Sequence, residues 1–366
     1  MPPLTLLIKP ASGRCNMRCR YCFYADEVQS RSAPCGNVMD VDTQEALIRR
    51  AFIFAHREIS FMFQGGEPTL AGLAYFRRFI KLVQSYNTRE LIIHYGIQTN
   101  GYDLSDEWIA FLKENRFLVG ISLDGDRETH DRFRLDARGE GTFSRVLDTL
   151  ERLRKAGVDT NVLCVVTEPL ARRPRETWTA LAPYRFLQFI PCLDAFGGKP
   201  EAWSLTAESY GRFLIEIFDS YRKAFLKNRY VSMRLFDNWI QMILGFPPES
   251  CAMRGHCSCN FTVESDGSVY PCDFYALDEW NLGNINKTSL MRMGKNPAVE
   301  AFIQGSLAVP EPCERCPWHA LCRNGCRRER DLQTGLNRFC EAHRVFFAAR
   351  ETALREMAQR VRTKNI

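Results

Sequence analysis

Fifteen cysteines in a chain of 366 residues are placed too unevenly to be core packing alone. Cys15, Cys19 and Cys22 form one knot near the start, Cys35, Cys164 and Cys192 stand apart, and nine more crowd between residues 251 and 340. Such clustering predicts either a disulfide framework or metal centres, and the redox compartment chooses between them. The opening Met1-Pro2-Pro3-Leu4 has no basic stretch and only a brief apolar run to Ile8, unlike a secretory signal. No segment approaches the roughly 20 apolar residues of a membrane span. The expectation is therefore a cytoplasmic protein, whose thiols in a reducing medium serve as metal ligands or catalysts.

Composition narrows the class. With 45% apolar and 25% charged residues the chain has the make-up of a folded globular protein, which excludes a disordered chain and a bare peptide-binding module. The formal charge of +6 would suggest nucleic acid or an acidic surface as partner, but basic and acidic residues are interspersed except in the short stretch 323–330. Neither nucleic acid nor membrane is expected as a partner.

The spacing Cys15-x3-Cys19-x2-Cys22 places three thiolates on a short loop directly after an apolar strand. Three can hold three irons of a 4Fe-4S cube and leave the fourth open to an outside ligand, whereas a closed structural site uses four. An open iron can coordinate a small molecule and pass it an electron. The competing reading is a zinc site completed by a distant ligand.

Six apolar segments, 4–9, 59–64, 91–98, 117–123, 161–167 and 186–191, read as buried parallel strands. Amphipathic stretches at 42–57, 72–86, 105–115, 142–156 and 174–183 separate them. That alternation predicts right-handed βαβ crossovers, in a sheet either doubly wound or curled into a partial barrel, with the active residues at the carboxyl ends of the strands. Gly197-Gly198-Lys199-Pro200 marks a break, two helices are expected at 206–227 and 233–244, and Asp266-Gly267 between β-prone flanks predicts a hairpin over 261–270. A charged helix is expected from 342. The domains expected are 1–230, 231–341 and 342–366.

Polar residues recur where the strands end. Gly65, Gly66 and Glu67 close the second strand, where glycines permit close backbone approach and exposed amides beside a carboxylate suit an α-amino acid. Gln98 and Asn100 close the third, and Ser122 and Asp124 the fourth; each alone is a plausible loop cap, and together they suggest a polar cleft. Cys164 reads as a small buried apolar residue, Cys192 as facing the cleft, and Cys259 as a neighbour of Cys257 without an assigned role. The six histidines show no metal-ligand spacing.

Cys-x3-Cys-x2-Cys after the first strand of a repeated β/α chain resembles the radical S-adenosylmethionine enzymes. The resemblance implies a partial (β/α)6 TIM-type barrel whose cluster cleaves S-adenosyl-L-methionine to a 5′-deoxyadenosyl radical. Tyr21 would lie against the adenine, Gly65, Gly66 and Glu67 would receive the methionine amino group, and Asn100, Ser122 and Asp124 would complete the cofactor site. The C-terminal cysteines are similar to the SPASM extension, which holds two auxiliary 4Fe-4S clusters. Carried over, one falls to Cys251, Cys257, Cys272 and Cys326 and the other to Cys313, Cys316, Cys322 and Cys340; a pair of zinc ribbons is the alternative.

Within that group, Phe63-Gln64-Gly65-Gly66-Glu67-Pro68 and Pro271-Cys272-Asp273-Phe274-Tyr275 resemble the anaerobic sulfatase-maturating enzymes over nearly the whole chain. The implied reaction oxidises a Cys or Ser of an unfolded or nascent sulfatase polypeptide, in a Cys/Ser-x-Pro-x-Arg motif, to Cα-formylglycine. Asp273 would be the base, and Tyr24, Gln64 and Gln98 substrate contacts; Asp273 as an ordinary turn residue is the alternative. Flavodoxin or ferredoxin would be the electron donor. Two other classes are weighed: a SPASM enzyme making thioether or carbon-carbon crosslinks in a ribosomal peptide, disfavoured because no leader-binding segment is evident before Cys15, and a non-enzymatic electron carrier or zinc-ribbon protein.

Overall fold

The computed structural model describes residues 3–32, 36–196 and 198–364. Cys35 and Gly197, the first residue of the expected break, lie outside them. Two compact units result, each drawn from separate stretches of chain. The first comprises Met1–Ser122, Phe133–Thr160 and Ser258–Phe302, the second Leu123–Arg132, Asn161–Cys257 and Ile303–Ile366.

The first unit is built on β1 (Leu4–Ile8), β2 (Glu58–Phe63), β3 (Ile92–Thr99) and β4 (Leu118–Ser122), with the hairpin strands β8 (Thr262–Val263) and β9 (Val269–Tyr270) added at one edge. Their order is β9-β8-β1-β2-β3-β4. β1 to β4 are parallel in sequence order, and β8 also runs parallel to β1 while pairing antiparallel with β9. The hairpin at 261–270 forms as its Asp-Gly turn requires. Its docking against β1 is a pairing over some 250 residues of chain that no local pattern announces.

Alternation along β2 decides which face meets the helices. Ile59, Phe61 and Phe63 are buried, and Phe61 and Phe63 pack edge-on and tilted against Phe79 and Phe76 of the helix Leu73–Tyr86, with centroids 5.1 and 4.8 Å apart. Phe76 in turn meets Trp108 of the helix Asp106–Glu114 at 5.1 Å. Aromatic pairs at these distances add a directional contribution to the burial of roughly 1.5–3 kcal/mol per large side chain. With this face closed by rings, the intervening residues Ser60, Met62 and Gln64 must point to the opposite face.

The second unit carries β5 (Asp159–Val166), whose first two residues belong to the first unit, β6 (Phe186–Pro191) and β7 (Ser232–Met233), in parallel register in that order. β7 is too short for periodicity to reveal. The helices Ala207–Leu226, Arg234–Ile243 and Cys340–Lys364 form its other layer, where Trp239 stacks on Phe346 at 5.0 Å and Phe218 meets Phe236 at 5.1 Å. The last helix begins at Cys340, two residues before the expected start, so its first turn carries a cysteine. Cys164 and Cys192 are both buried; the Cys192 sulfur lies 3.8 Å from the Leu193 carbonyl. Among the described residues no helix is long and apolar enough to cross a membrane.

Candidate functional site

Parallel register brings two of the predicted polar residues, Gln64 and Gln98, to one level with two others. Ile8 pairs with Phe63 and with Val263, and Phe63 with Ile97. The next residues, Lys9, Gln64, Glu264 and Gln98, therefore continue at the carboxyl ends of β1, β2, β8 and β3 on the face opposite the aromatic layer. One tier further, Thr99 pairs with Ile121, which puts Asn100 level with Ser122.

The cysteine loop is fastened to the second strand end. Gly66 N–H donates to the Ser12 carbonyl at 2.8 Å and Glu67 N–H to that of Arg14 at 2.7 Å. The approach is closer than a side chain permits: a Cβ on Gly66 would fall 2.2 Å from the Arg14 oxygen, and Gly65 takes φ +129°. The expectation that these amides stand exposed is corrected here, because those of Gly66 and Glu67 are committed to the cysteine loop. Glu67 is 1% exposed and accepts hydrogen bonds from the backbone amides of Thr69 and Asn100 and the hydroxyls of Thr69 and Thr99 at 2.7–3.1 Å. Burial raises its carboxyl above the usual range against those donors.

Around the N-terminal cysteine knot, the Met17 amide lies 3.4 Å and the Asn100 side-chain amide 3.6 Å from the Cys15 sulfur. Burial, then Glu67 and Cys22, pushes the Cys15 thiol up to about 11. Cys19 is half-buried and Cys22 exposed. Tyr21 is half-buried, 6.0 Å from the Phe133 ring and 5.4 Å from the Arg134 guanidinium. Ser122 is half-buried. Asp124, in the second unit, is buried and accepts from the Val165 amide at 2.8 Å.

A buried ionic cluster occupies the strand ends beside this loop. Lys9, fully buried, forms an ion pair with Asp273 Oδ1 at 2.6 Å and lies 3.8 Å from Glu264. Gln64 Nε2 donates to Asp273 Oδ2 at 2.7 Å. Arg31 pairs with Glu264 at 2.6 Å, and the hydroxyls of Tyr24 and Ser12 donate to Glu264 at 2.8 Å. Lys9 Nζ sits 3.5 Å above the Tyr24 ring. Two cations thus face two carboxylates. Burial alone would lower the Lys9 pKa, but Asp273, Tyr24, Glu264 and Glu27 together raise it. Burial likewise opposes ionisation of Glu264, and Lys9 and Arg31 overcome it, so its carboxyl titrates below the usual range. Burial drives the Tyr24 phenol up and keeps it protonated.

Asp273 is the partly exposed member, its side chain 15% accessible. The turn carrying it is pinned from both sides: Phe274 packs on Phe23 of the helix Phe23–Gln29 at 4.9 Å, and Tyr275 on Phe302 at 5.3 Å. The structure thus brings together Tyr24, Gln64 and Asp273. Gln98 shares their strand-end level and is half-buried. Lys9, Ser12, Arg31 and Glu264 carry no role in the sequence reading. A lysine closing an otherwise apolar strand, and a glutamate closing a strand of a hairpin, are the signals that point to them, since buried charges require partners.

Removing one partner from this cluster is expected to be costly. Glu264→Ala leaves Arg31 and part of the Lys9 charge uncompensated, and loss of one member of a buried pair costs about 3–5 kcal/mol. Urea denaturation of the variant should show that loss; an unchanged midpoint would mean that the cluster is not an ionic lock.

Several of the C-terminal cysteines act on one another electrostatically. Burial, then the neighbouring Cys340, Cys313 and Cys316, pushes the Cys322 thiol up to about 12. Burial, then Glu329, Cys251 and Cys257, does the same to Cys326. Thiols that repel one another as thiolates are a set that a cationic iron core stabilises, so these groupings within the second unit have a donor chemistry that suits such a core. Among the described residues no three His, Cys, Asp or Glu side chains converge on a single ion; a cube makes a different demand, one thiolate for each iron corner. Cys272 precedes Asp273 in the first unit. Cys259 is half-buried, and burial pushes its thiol up to about 11.

Comparison with known proteins places this geometry. Residues 10–173 match the family model of the radical SAM superfamily, and 251–317 that of an iron-sulfur cluster-binding domain. A cysteine-type anaerobic sulfatase-maturating enzyme of Clostridium novyi is 43% identical over 95% of both chains. A serine-type enzyme of that name from Klebsiella pneumoniae is 32% identical over 94% of this chain and 87% of its own. The solved structure described as native anSMEcpe with bound AdoMet and Cp18Cys peptide superposes with a TM-score of 0.94 at 41% identity, covering 98% of this chain and 100% of the other.

Proposed function

The chain belongs to the anaerobic sulfatase-maturating enzymes of the radical SAM superfamily, and on that premise we propose how its residues oxidise a Cys or Ser of a sulfatase polypeptide to Cα-formylglycine. It is a radical S-adenosylmethionine oxidoreductase with the partial (β/α)6 barrel and SPASM extension of that family, and its cofactors are three 4Fe-4S clusters and S-adenosyl-L-methionine. The observation that carries the mechanism is the carboxylate of Asp273, held on one oxygen by Lys9 and on the other by Gln64.

Cys15, Cys19 and Cys22 hold the open-site cluster, with Cys251, Cys257, Cys272 and Cys326 and then Cys313, Cys316, Cys322 and Cys340 as ligands of the auxiliary pair. When bound, these groups supply a hydrogen-abstracting carbon radical at the open site and an acceptor for the remaining electron at the auxiliary clusters. The protein's own residues do the rest. The turn at Gly65, Gly66 and Glu67 receives the cofactor's amino group through acceptor oxygens, since two of its amides are committed elsewhere. Tyr21, Asn100, Ser122 and Asp124 complete that site.

A two-electron oxidation of the substrate removes one Cβ hydrogen atom, one proton from the thiol or hydroxyl, and one electron; serine then gives the aldehyde directly, while cysteine gives a thioaldehyde that water hydrolyses to the aldehyde with release of hydrogen sulfide. Asp273 takes the proton at a carboxylate oxygen. Lys9 pairs with one oxygen of that carboxylate, and Gln64 holds the other and fixes its plane. Tyr24, Gln64 and Gln98 contact the substrate chain, which is an unfolded or nascent sulfatase segment with the motif Cys/Ser-x-Pro-x-Arg. Flavodoxin or ferredoxin serves as electron donor in the cytoplasm. The domains follow as 1–230 for the barrel, 231–341 for the bridging helix and auxiliary-cluster region, and 342–366 for the C-terminal helix.

Peptides test the motif. The reduced enzyme should form aldehyde from a Cys-x-Pro-x-Arg or Ser-x-Pro-x-Arg peptide, and lose most of that activity when the Pro and Arg are both replaced by alanine. Equal conversion of the replaced peptide would reject the motif, and a crosslinked product without aldehyde would favour the peptide-crosslinking reading.

A further inference from the structure

The first turn of the last helix carries a histidine against a cysteine thiol. Cys340 opens the helix Cys340–Lys364, and His343 follows three residues later, so both project from one face of its first turn. His343 Nδ1 lies 3.6 Å from the Cys322 sulfur. The imidazole is held in place by rings from two other helices: its centroid is 6.1 Å from Tyr210 and 6.0 Å from Trp239, both approaching edge-on. All of these residues lie in the second unit.

We propose that His343 donates a hydrogen bond from Nδ1 to the Cys322 thiolate and thereby raises the reduction potential of the cluster held by Cys313, Cys316, Cys322 and Cys340. An iron-bound thiolate has no proton to give, so the contact is a hydrogen bond only in the tautomer that carries its proton on Nδ1. A donor on a ligand sulfur stabilises the more negative, reduced cluster more than the oxidised one, which is how hydrogen bonds to sulfur tune such centres. The function served is acceptance of the electron that the substrate oxidation releases. His343 acts through Cys322 and is a positioning residue for the cluster, touching neither substrate nor S-adenosylmethionine.

The inference rests on the ligand assignment given above, and its test separates the two. The full chain carrying Cys15→Ala, Cys19→Ala and Cys22→Ala, reconstituted anaerobically, should hold about eight irons in two auxiliary clusters. Fewer irons at this stage would fail the ligand assignment. Redox titration followed by electron paramagnetic resonance then compares this protein with versions that add His343→Leu or His343→Gln. Leucine should make one cluster about tenfold harder to reduce, a fall of about 59 mV in one midpoint, and leave the other unmoved. Glutamine, which retains an N–H donor, should restore most of the difference. Unmoved midpoints in His343→Leu with iron intact would overturn the proposal. If His343→Leu loses iron, the decision passes to nitrogen hyperfine coupling to the reduced cluster in chain labelled with ¹⁵N-histidine: present with His343 and lost in His343→Gln supports it, absent with His343 overturns it.

Discussion

Asp273→Asn is expected to leave all three clusters in place and to keep releasing deoxyadenosine, while formylglycine formation falls by about 10²–10⁴. Asparagine nearly matches the shape of aspartate, so the turn between Phe23 and Phe302 should keep its packing. The loss is chemical: the amide cannot take the thiol or hydroxyl proton. It also faces Lys9 with a neutral group in place of the ion pair at 2.6 Å, leaving Glu264 as the nearest compensating charge. Without the proton acceptor, hydrogen abstraction has no forward outlet and can reverse, so deoxyadenosine should exceed product. A variant that forms formylglycine at the wild-type rate would reduce Asp273 to a structural turn residue. Loss of auxiliary iron would instead assign its importance to the adjacent ligand Cys272.

The second large effect is expected from replacing Cys15, Cys19 and Cys22 together by alanine. Iron should fall from about twelve to about eight per chain, with zinc negligible, because three thiolates of eleven are removed and one cube of three is lost. Cleavage of S-adenosylmethionine should disappear altogether. The fold should survive, since the loop is fastened by backbone bonds from Gly66 and Glu67 to Ser12 and Arg14 rather than by the thiols. Retained cleavage would show that the open iron lies elsewhere, and stoichiometric zinc would reverse the reading of the cysteine clusters.

Elements set by local pattern are legible in the amino-acid sequence alone. The six apolar runs correspond to β1 to β6 with ends shifted by no more than two residues, because each run is short, apolar and bounded by polar or turn residues; burial on both faces, which uniform apolarity suggested, is replaced in β2 by alternation of buried and half-buried residues. The hairpin is legible from Asp266-Gly267. Its parallel docking onto β1 is not, since β8 contributes only two residues and its partner lies at the other end of the chain. The site shows the same division. Gln64 and Gln98 share one level, and Asn100 and Ser122 the next, because parallel strands in sequence order keep register, and Gln64 does meet Asp273. Lys9, Arg31 and Glu264 escape a sequence reading because each looks like a surface charge until the fold supplies its counter-ion. The turn at Gly66 reads as an exposed cradle, yet its amide closes on the cysteine loop, which spacing within the motif does not reveal.

One measurement bears most directly on the central claim. A peptide bearing Cys-x-Pro-x-Arg, deuterated at Cβ of its cysteine, is incubated with the reduced, reconstituted enzyme and S-adenosylmethionine, and deoxyadenosine and peptide are both weighed. Deuterium is expected in deoxyadenosine, with an equal amount of peptide whose thiol has given way to an aldehyde that reacts with a hydrazine probe. Deoxyadenosine free of deuterium, or labelled deoxyadenosine beside a crosslinked peptide with no aldehyde, would contradict the claim.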